Sequence, residues 1–425
     1  MGAVPYRDIA DMNMPLTYEI HFAVVTLGGM SDVAWRSFDL TAAALLSALT
    51  LMLVWPAGRA GAILAMLAVL VMHLSLGPYS AGQRDYLMCI PALGAAFASS
   101  KCAEDQKHRP IYFALIGAFA MMAATIKPTG ILLLLLPALA VRLHWRDMMV
   151  MAAGSVPVAL AVFGTLAAWG GLAAFITMLR ELLPLYEGLG ERTLWGTLDA
   201  VQWLIPIAGL AVAAALDITA PKPPRLRVII GLTVYGLIHL LAQRKGFSYH
   251  VYPLGIGLAC WGAWTLAALS MWRMFTGLVV TAVTVAWVVA DSIIPFNDPP
   301  LRAAAAMENA LESHLPRGAR VQMMDADNGA FLAMARAGMR QATPHIQWFS
   351  LLLAKESVRR SFLATLEADP PAAILLTNDE WPLGQGFEAT DNWPEFRALL
   401  TSRYNLNQTG DADYISWRFY LRRAS

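Results

Sequence analysis

Charge is what this sequence has least of. Only 14% of its 425 residues are charged, while 57% are hydrophobic, and the mean hydropathy is +0.51. Soluble domains carry about 25% charged residues. The shortage is uneven. Apolar runs of bilayer length fill residues 37–291, whereas 292–425 reads as ordinary soluble sequence, which excludes a purely soluble helical bundle. Cysteine is scarce too. Cys89, Cys102 and Cys260 lie in or beside apolar runs without spaced partners, which excludes a disulfide framework or a cysteine metal site. There is no Gly-rich phosphate loop, no HExxH and no CxxC, which argues against ATP hydrolysis and zinc chemistry. With a net charge of +1, nothing points to nucleic acid.

What is present is a series of apolar stretches near 37–56, 61–77, 86–100, 111–126, 130–143, 148–168, 199–216, 228–242, 251–270 and 274–291. A helix needs roughly 20 apolar residues to cross a bilayer. The expected fold is therefore an α-helical polytopic membrane domain over residues 1–291, with about ten spans, then a small soluble α/β domain at 292–425. Basic residues mark the cytoplasmic side of a membrane protein. Here they recur in alternate loops: Arg59; Lys101, Lys107 and Arg109; Arg142 and Arg146; Lys222, Arg225 and Arg227; Arg273. The opposite, outer face then holds 1–36, 78–85, 127–129, 169–198, 243–250 and the C-terminal domain. Leu16–Met30 is apolar but short, and broken by Glu19 and His21. It suits a helix lying at the interface within a first outer loop at 1–36. Nothing before that loop would carry it across the membrane, so an upstream apolar helix is expected.

The outer loops hold charges near the membrane, which makes them site candidates. Asp8 and Asp11 lie three residues apart in Pro5–Pro15, a spacing that shares one helical face. Either could act as general base toward a hydroxyl, or as a first-turn acid capping a helix; spacing alone favours the cap. Gly82-Gln83-Arg84-Asp85 puts an arginine at the mouth of a span. It could bind a phosphate bidentately, or pair with Asp85 or a lipid headgroup. In Ile126-Lys127-Pro128-Thr129-Gly130 the Pro and Gly are turn chemistry, and the lysine is not required by the turn. Gln243–His250 contributes Arg244, Lys245 and His250. These are either an anion site, with Gly246 letting backbone approach the ligand, or snorkelling residues and an aromatic belt. A carboxylate and several cations at one membrane face fit an acceptor-activating base and an anionic leaving group. A lipid phosphate is the natural anion at that depth.

The segments PYRDIADMNMPLTYEIHF, GGMSDVAWRSFDL, GQRDYLMCIPAL, ATIKPTGILLLLLP and QRKGFSYHVYPL resemble the bacterial GT-C-fold glycosyltransferases, similar to the protein O-mannosyltransferases and lipid A aminoarabinose transferases. Their order and facing carry the resemblance, over roughly residues 2–270. It implies a hexosyl or pentosyl transferase that uses a polyprenyl-phosphate-linked sugar on the periplasmic face. The acceptor would be a glycan, lipid or protein, and no metal or cofactor is expected. In that family the first outer loop supplies the catalytic acid near the end of the first helix. Asp8 and Asp11 match the later part of that loop, so Asp8, then Asp11, are the candidate catalytic residues. Arg7, Arg84, Lys127, Arg244, Lys245 and His250 are the candidate ligands of the donor phosphate. The alternatives are a polytopic transporter or flippase of envelope lipids or glycans, and a non-enzymatic envelope assembly protein.

In the C-terminal domain the pattern predicts a helix at 302–315, buried strands at 319–324 and 372–377, helical stretches near 349–367 and 394–402, and a final strand at 414–421. Asp325 and Asp327 follow a strand end, where α/β ligand sites lie, but read first as turn residues. The expected role of this domain is acceptor recognition or a cap over the membrane site.

Overall fold

The computed structural model describes residues 3–29, 31–75, 80–188, 190–199, 222–267, 299–325, 328–345, 355–378 and 387–423. The chain divides into two compact units. A helical unit comprises residues 13–165 and 192–293, and a mixed unit comprises 1–12, 166–191 and 294–425.

The helices run α1 (Pro15–Gly28), α2 (Asp32–Val54), α3 (Arg59–Ser75), α4 (Arg84–Glu104), α5 (Arg109–Ala124), α6 (Pro137–Ala140), α7 (Trp145–Ala168), α8 (Leu172–Glu181), α9 (Leu183–Gly188), α10 (Leu194–Asp199), α11 (Pro224–Gln243) and α12 (Tyr252–Ala267). Of these, α8 and α9 belong to the mixed unit. Local chemistry sets several ends. The Ser31 hydroxyl accepts the Ala34 N–H at the start of α2, and α1, α5 and α11 carry proline in the first turn, where its missing N–H is not needed. Helix α2 with its short extension to Ala57, and helices α4, α7 and α11, are long and apolar enough to cross a membrane. Helix α4 is the most enclosed of the four. The stretches expected at 199–216 and 274–291 fall, except for Asp199, outside the described residues.

The stretch expected as a span at 130–143 departs from an α-helix. Pro128–Leu135 is a 3-10 helix, followed by the four-residue α6. Pro128 and Pro137 each lack a donor for an α-helical hydrogen bond. The tighter winding rises about 2 Å per residue rather than 1.5 Å, so fewer residues cover a given depth.

Close helix contacts in the helical unit are made by small residues. A Cβ on Gly117 of α5 would sit 1.8 Å from the Met151 carbonyl oxygen, and one on Gly154 of α7 would sit 2.0 Å from that of Ala114. The Ser155 hydroxyl donates to the Gly117 carbonyl across the same contact at 2.9 Å. Gly236 of α11 and Gly257 of α12 repeat the arrangement, against Leu254 and Thr233. Lipid is as apolar as a leucine surface, so such helices associate by close backbone packing rather than by hydrophobic burial. At one end of the bundle, Arg225 donates to both carboxylate oxygens of Glu104 and to the Met52 carbonyl, tying α11 to the C-terminal ends of α4 and α2.

The mixed unit contains a five-stranded sheet of order β2-β1-β3-β5-β4: β1 (Arg320–Met324), β2 (Arg340–Gln341), β3 (Ala373–Thr377), β4 (Tyr404–Ala412) and β5 (Ile415–Arg422). Strand β1 pairs in parallel with β2 and β3, and β5 runs antiparallel to β3 and β4. Side chains alternate across the sheet. Val321, Met323, Ala373 and Leu375 join a core with α13 (Pro299–His314) and α14 (Ala330–Arg336). Met324, Ile374 and Leu376 join a second core with α15 (Glu356–Ala368) and α17 (Pro394–Arg403), which follows the short α16 (Glu388–Asp391). The expected helices and strands are present where described. Strands β2 and β4 were not foreseen; β2 has two residues, and β4 is an exposed edge strand of Asn, Gln and Thr without an apolar alternation.

The glycine contacts give a direct test. Gly117→Ala forces α5 and α7 apart and should lower stability in detergent by about 1–3 kcal/mol. Gly164→Ala, which has open space around it, should be neutral or slightly stabilising. Equal melting temperatures for both variants would remove the close-packing account.

Candidate functional site

The site in the helical unit is built around the first turn of α4. Gly82 has φ +68°, and a Cβ there would strike the Trp35 ring at 2.4 Å. This tight turn starts the helix at Arg84 and puts Asp85 one residue in. An acid in the first turn is favoured by the helix dipole, but Asp85 has no exposed surface, and a buried carboxylate must be matched by donors. It is matched from other elements. Asp85 Oδ2 lies 3.2 Å from Lys127 Nζ, and Asp85 Oδ1 lies 2.6 Å from His239 Nε2.

Each partner is held in turn. Lys127 sits in the break between α5 and the 3-10 helix, its N–H donating to Ala123 O. Gly130 closes that break, where a Cβ would meet the Ala123 backbone at 2.4 Å. Lys127 Nζ also donates to Gln243 Oε1 at 3.2 Å, and Thr129 Oγ1 is 2.7 Å from His239 Nδ1. His239 and Gln243 are one turn apart on α11, hence on one face. His250 is buried in the 3-10 turn before α12, packed edge-on against Phe247 and Tyr249, and its buried Nδ1 has no hydrogen-bond partner among the described residues. Asp85, Lys127, His239 and Arg84 all lie within its electrostatic reach. Burial pushes the His250 imidazole down to about 3 and the Lys127 ammonium down to about 8, Asp85 opposing the shift and Arg84 adding to it.

Of the residues singled out in the sequence, Arg84, Lys127 and His250 therefore come together around Asp85. Lys245 is buried. Arg244 is exposed, in the left-handed conformation that ends α11, and its carbonyl accepts the Arg192 N–H at 2.7 Å. The Arg192 side chain covers Gly246, which has φ +68°. Arg7, Asp8 and Asp11 belong to the mixed unit. Asp8 accepts from Arg7 Nε and Nη2 and from the Val4 N–H, at 2.8–2.9 Å. Those hydrogen bonds hold its carboxyl down at about 2. Asp11 is buried, with Oδ1 accepting the Met12 N–H at 2.6 Å.

Sequence reasoning missed His239, Thr129 and Gln243, and treated Asp85 only as a neighbour of Arg84. The available signal was a histidine inside an otherwise apolar run, since an ionisable residue at that depth is costly unless partnered. It also missed a second buried group. Asp39 of α2 has no exposed surface and pairs with Arg36 at 2.8 Å and with His73 of α3 at 3.1 Å. The other ring nitrogen of His73 is 2.9 Å from the Tyr252 hydroxyl, and Tyr86, stacked on His73, donates to the Asp39 carbonyl.

No family model matches this chain, and no curated protein matches it in sequence. Solved structures do match. The crystal structure of ArnT from Cupriavidus metallidurans bound to undecaprenyl phosphate aligns with a TM-score of 0.62 at 12% identity, covering 96% of this chain and 88% of that one. Apo ArnT aligns at 0.58. Archaeal AglB from Archaeoglobus fulgidus, an oligosaccharyltransferase in complex with an inhibitory peptide and a dolichol-phosphate, aligns at 0.53 and 12% identity, over 88% of this chain and 62% of that one. This chain has the GT-C fold. At such low identity the likeness is one of GT-C architecture, and the side chains of the site speak for themselves.

The Asp85 cluster makes a stability prediction. Lys127→Met leaves a buried carboxylate short of its cation and should lower stability by about 3–5 kcal/mol. Adding Asp85→Asn should restore most of that loss, because the two effects are coupled. Thermal unfolding of the single and double variants in detergent decides it; an additive loss would mean the pair is not coupled.

Proposed function

We propose that this protein is a membrane glycosyltransferase that moves a sugar from a polyprenyl-phosphate donor to a periplasmic or lipid-linked acceptor. The observation that carries this reading is the convergence of Lys127, His250 and Arg84 from three separate chain segments near one end of α4. Two solved proteins of the same fold are complexes with undecaprenyl phosphate and dolichol-phosphate, which supports a lipid phosphate as the anion. In this reading the acceptor oxygen attacks the anomeric carbon as its proton passes to a carboxylate. The bond from that carbon to the phosphate oxygen breaks, its electron pair leaves with the lipid phosphate, and the configuration inverts. Lys127 and Arg84 stabilise the growing phosphate charge.

The loop at residues 5–12 supplies the base. Asp8 was the first choice from sequence, but its carboxylate is committed to Arg7 and the Val4 N–H and is held near 2. We assign the role to the second carboxylate of the same loop, Asp11. A transporter is the second reading, favoured by the Asp39–His73–Tyr252 group inside three apolar helices. Its sign would be substrate movement across vesicles without any transferred sugar.

Membranes containing the protein, given radiolabelled polyprenyl-phosphate sugars, test the proposal. Asp11→Asn should cut turnover about 100- to 10,000-fold with donor binding intact. Lys127→Ala should weaken donor binding as well as turnover, since the ground-state phosphate is already anionic. Wild-type turnover in both variants would reject the site. The donor phosphate needs a protonated Lys127, so binding should be full near pH 7 and fall about tenfold by pH 9, one unit above that group's value; a flat profile would remove Lys127 from the phosphate site. A reporter active only in the cytoplasm, fused after Ser425, should stay silent, and signal from it would reverse the proposed orientation.

A further inference from the structure

The α/β domain is joined to the segment that carries Asp8 and Asp11. Residues 1–12 belong to the same compact unit as residues 294–425. The Ala10 N–H donates to the Pro344 carbonyl at 2.7 Å, and Ala10 forms a parallel bridge with His345. The other side of the segment is held by α8, where the Tyr6 ring lies 5.0 Å from that of Phe175.

The seat under Ala10 is built from buried polar side chains. Residues 343–345 continue past the end of β2, and side chains hold their backbone. The Thr343 hydroxyl donates to Gln322 Oε1 at 2.8 Å and receives the His345 N–H at 3.3 Å. Gln322 Nε2 donates to the Met323 and His345 carbonyls. Gln341 Nε2 donates to the His345 carbonyl at 3.1 Å, and its Oε1 accepts the Met323 N–H. Gln322 has no exposed surface and Thr343 has 3%. A glutamine and a threonine inside an α/β core are expensive unless every group is satisfied. An apolar pair would suit a domain that had only to fold.

We propose that Thr343, Gln322 and Gln341 are positioning residues, which hold the 343–345 turn as a template for the segment bearing the candidate base. This rests on the reading of Asp11 as that base. The domain then acts on the reaction by fixing where a carboxylate sits, one residue beyond the Ala10 bridge. Misplacing a reacting group by about 1 Å lowers a rate by about 100-fold.

Hydrogen exchange tests the seat without reference to activity. In the full-length protein, Thr343→Val should raise amide exchange across residues 3–12 and leave β3 protected. Turnover should fall about 10- to 100-fold with donor binding unchanged, and Thr343→Ser, which keeps the hydroxyl, should restore both. Ala10→Pro, which removes the bridging N–H and leaves the domain core untouched, should reproduce the same pattern if the valine variant unfolds. Unchanged exchange across 3–12 in these variants overturns the seat. Raised exchange with wild-type turnover, where Asp11→Asn is inactive, overturns the positioning role. Wild-type turnover in Asp11→Asn rejects the assignment of the base, a separate failure that the exchange data do not share.

Discussion

A carboxylate with no exposed surface has to be answered, and in this protein the answer to Asp85 organises the helical unit. Lys127 comes from the break after α5, and His239 from α11 with Gln243 one turn away. Taking such charges out of water is expensive, and their attraction offsets it only with good geometry and further hydrogen bonds. The end of α5, the end of α11 and the start of α4 are therefore fixed together. At the opposite end of α4, Glu104 meets Arg225 from the start of α11, so the same two helices are pinned twice. Between the pins, glycines let helices approach closely, as Gly236 and Gly257 do between α11 and α12. Apolar side chains alone would not select one register, because lipid solvates them equally well.

The same economy shapes the mixed unit. Asp325, at the end of β1, accepts from the N–H groups of Asn328 and Ala330 and from the Thr377 hydroxyl. It is a turn residue, as expected from the sequence, and it also caps the start of α14 and ties the ends of two parallel strands. Its neighbour Asp327 lies outside the described residues. A few residues away, the Gln322–Thr343 pair does for the N-terminal segment what Asp85 does for α4. In both places a buried polar group forces elements distant in sequence into one geometry, and in both a residue of the candidate chemistry lies beside it.

How legible this was depended on the length scale of the signal. Helices such as α2, α4, α7 and α11 were readable because bilayer-length apolar runs leave little alternative. Arg84 and Lys127 were readable as site candidates because cations in short loops expected on the outer face break a charge rule. His239 was not, since a lone histidine in an apolar run looks the same whether it meets a carboxylate or a tyrosine. Strand β4 was hidden because an exposed edge strand needs no apolar pattern. The 3-10 helix at Pro128–Leu135 was hidden because hydropathy does not register how tightly a segment winds.

By itself the sequence determined which segments are apolar enough to lie in lipid, because length and composition decide that. It also determined which residue types could handle an anion. Only the tertiary structure decided which of them meet. Asp8 and Asp11 differ by three positions and look alike in sequence. One is tied to Arg7 and the Val4 amide; the other lies buried beside the Ala10 bridge. Asp85 gains its partners from residues 42 and 154 positions further on. Contacts at that separation are set by packing and desolvation across the whole fold, and no local pattern encodes them.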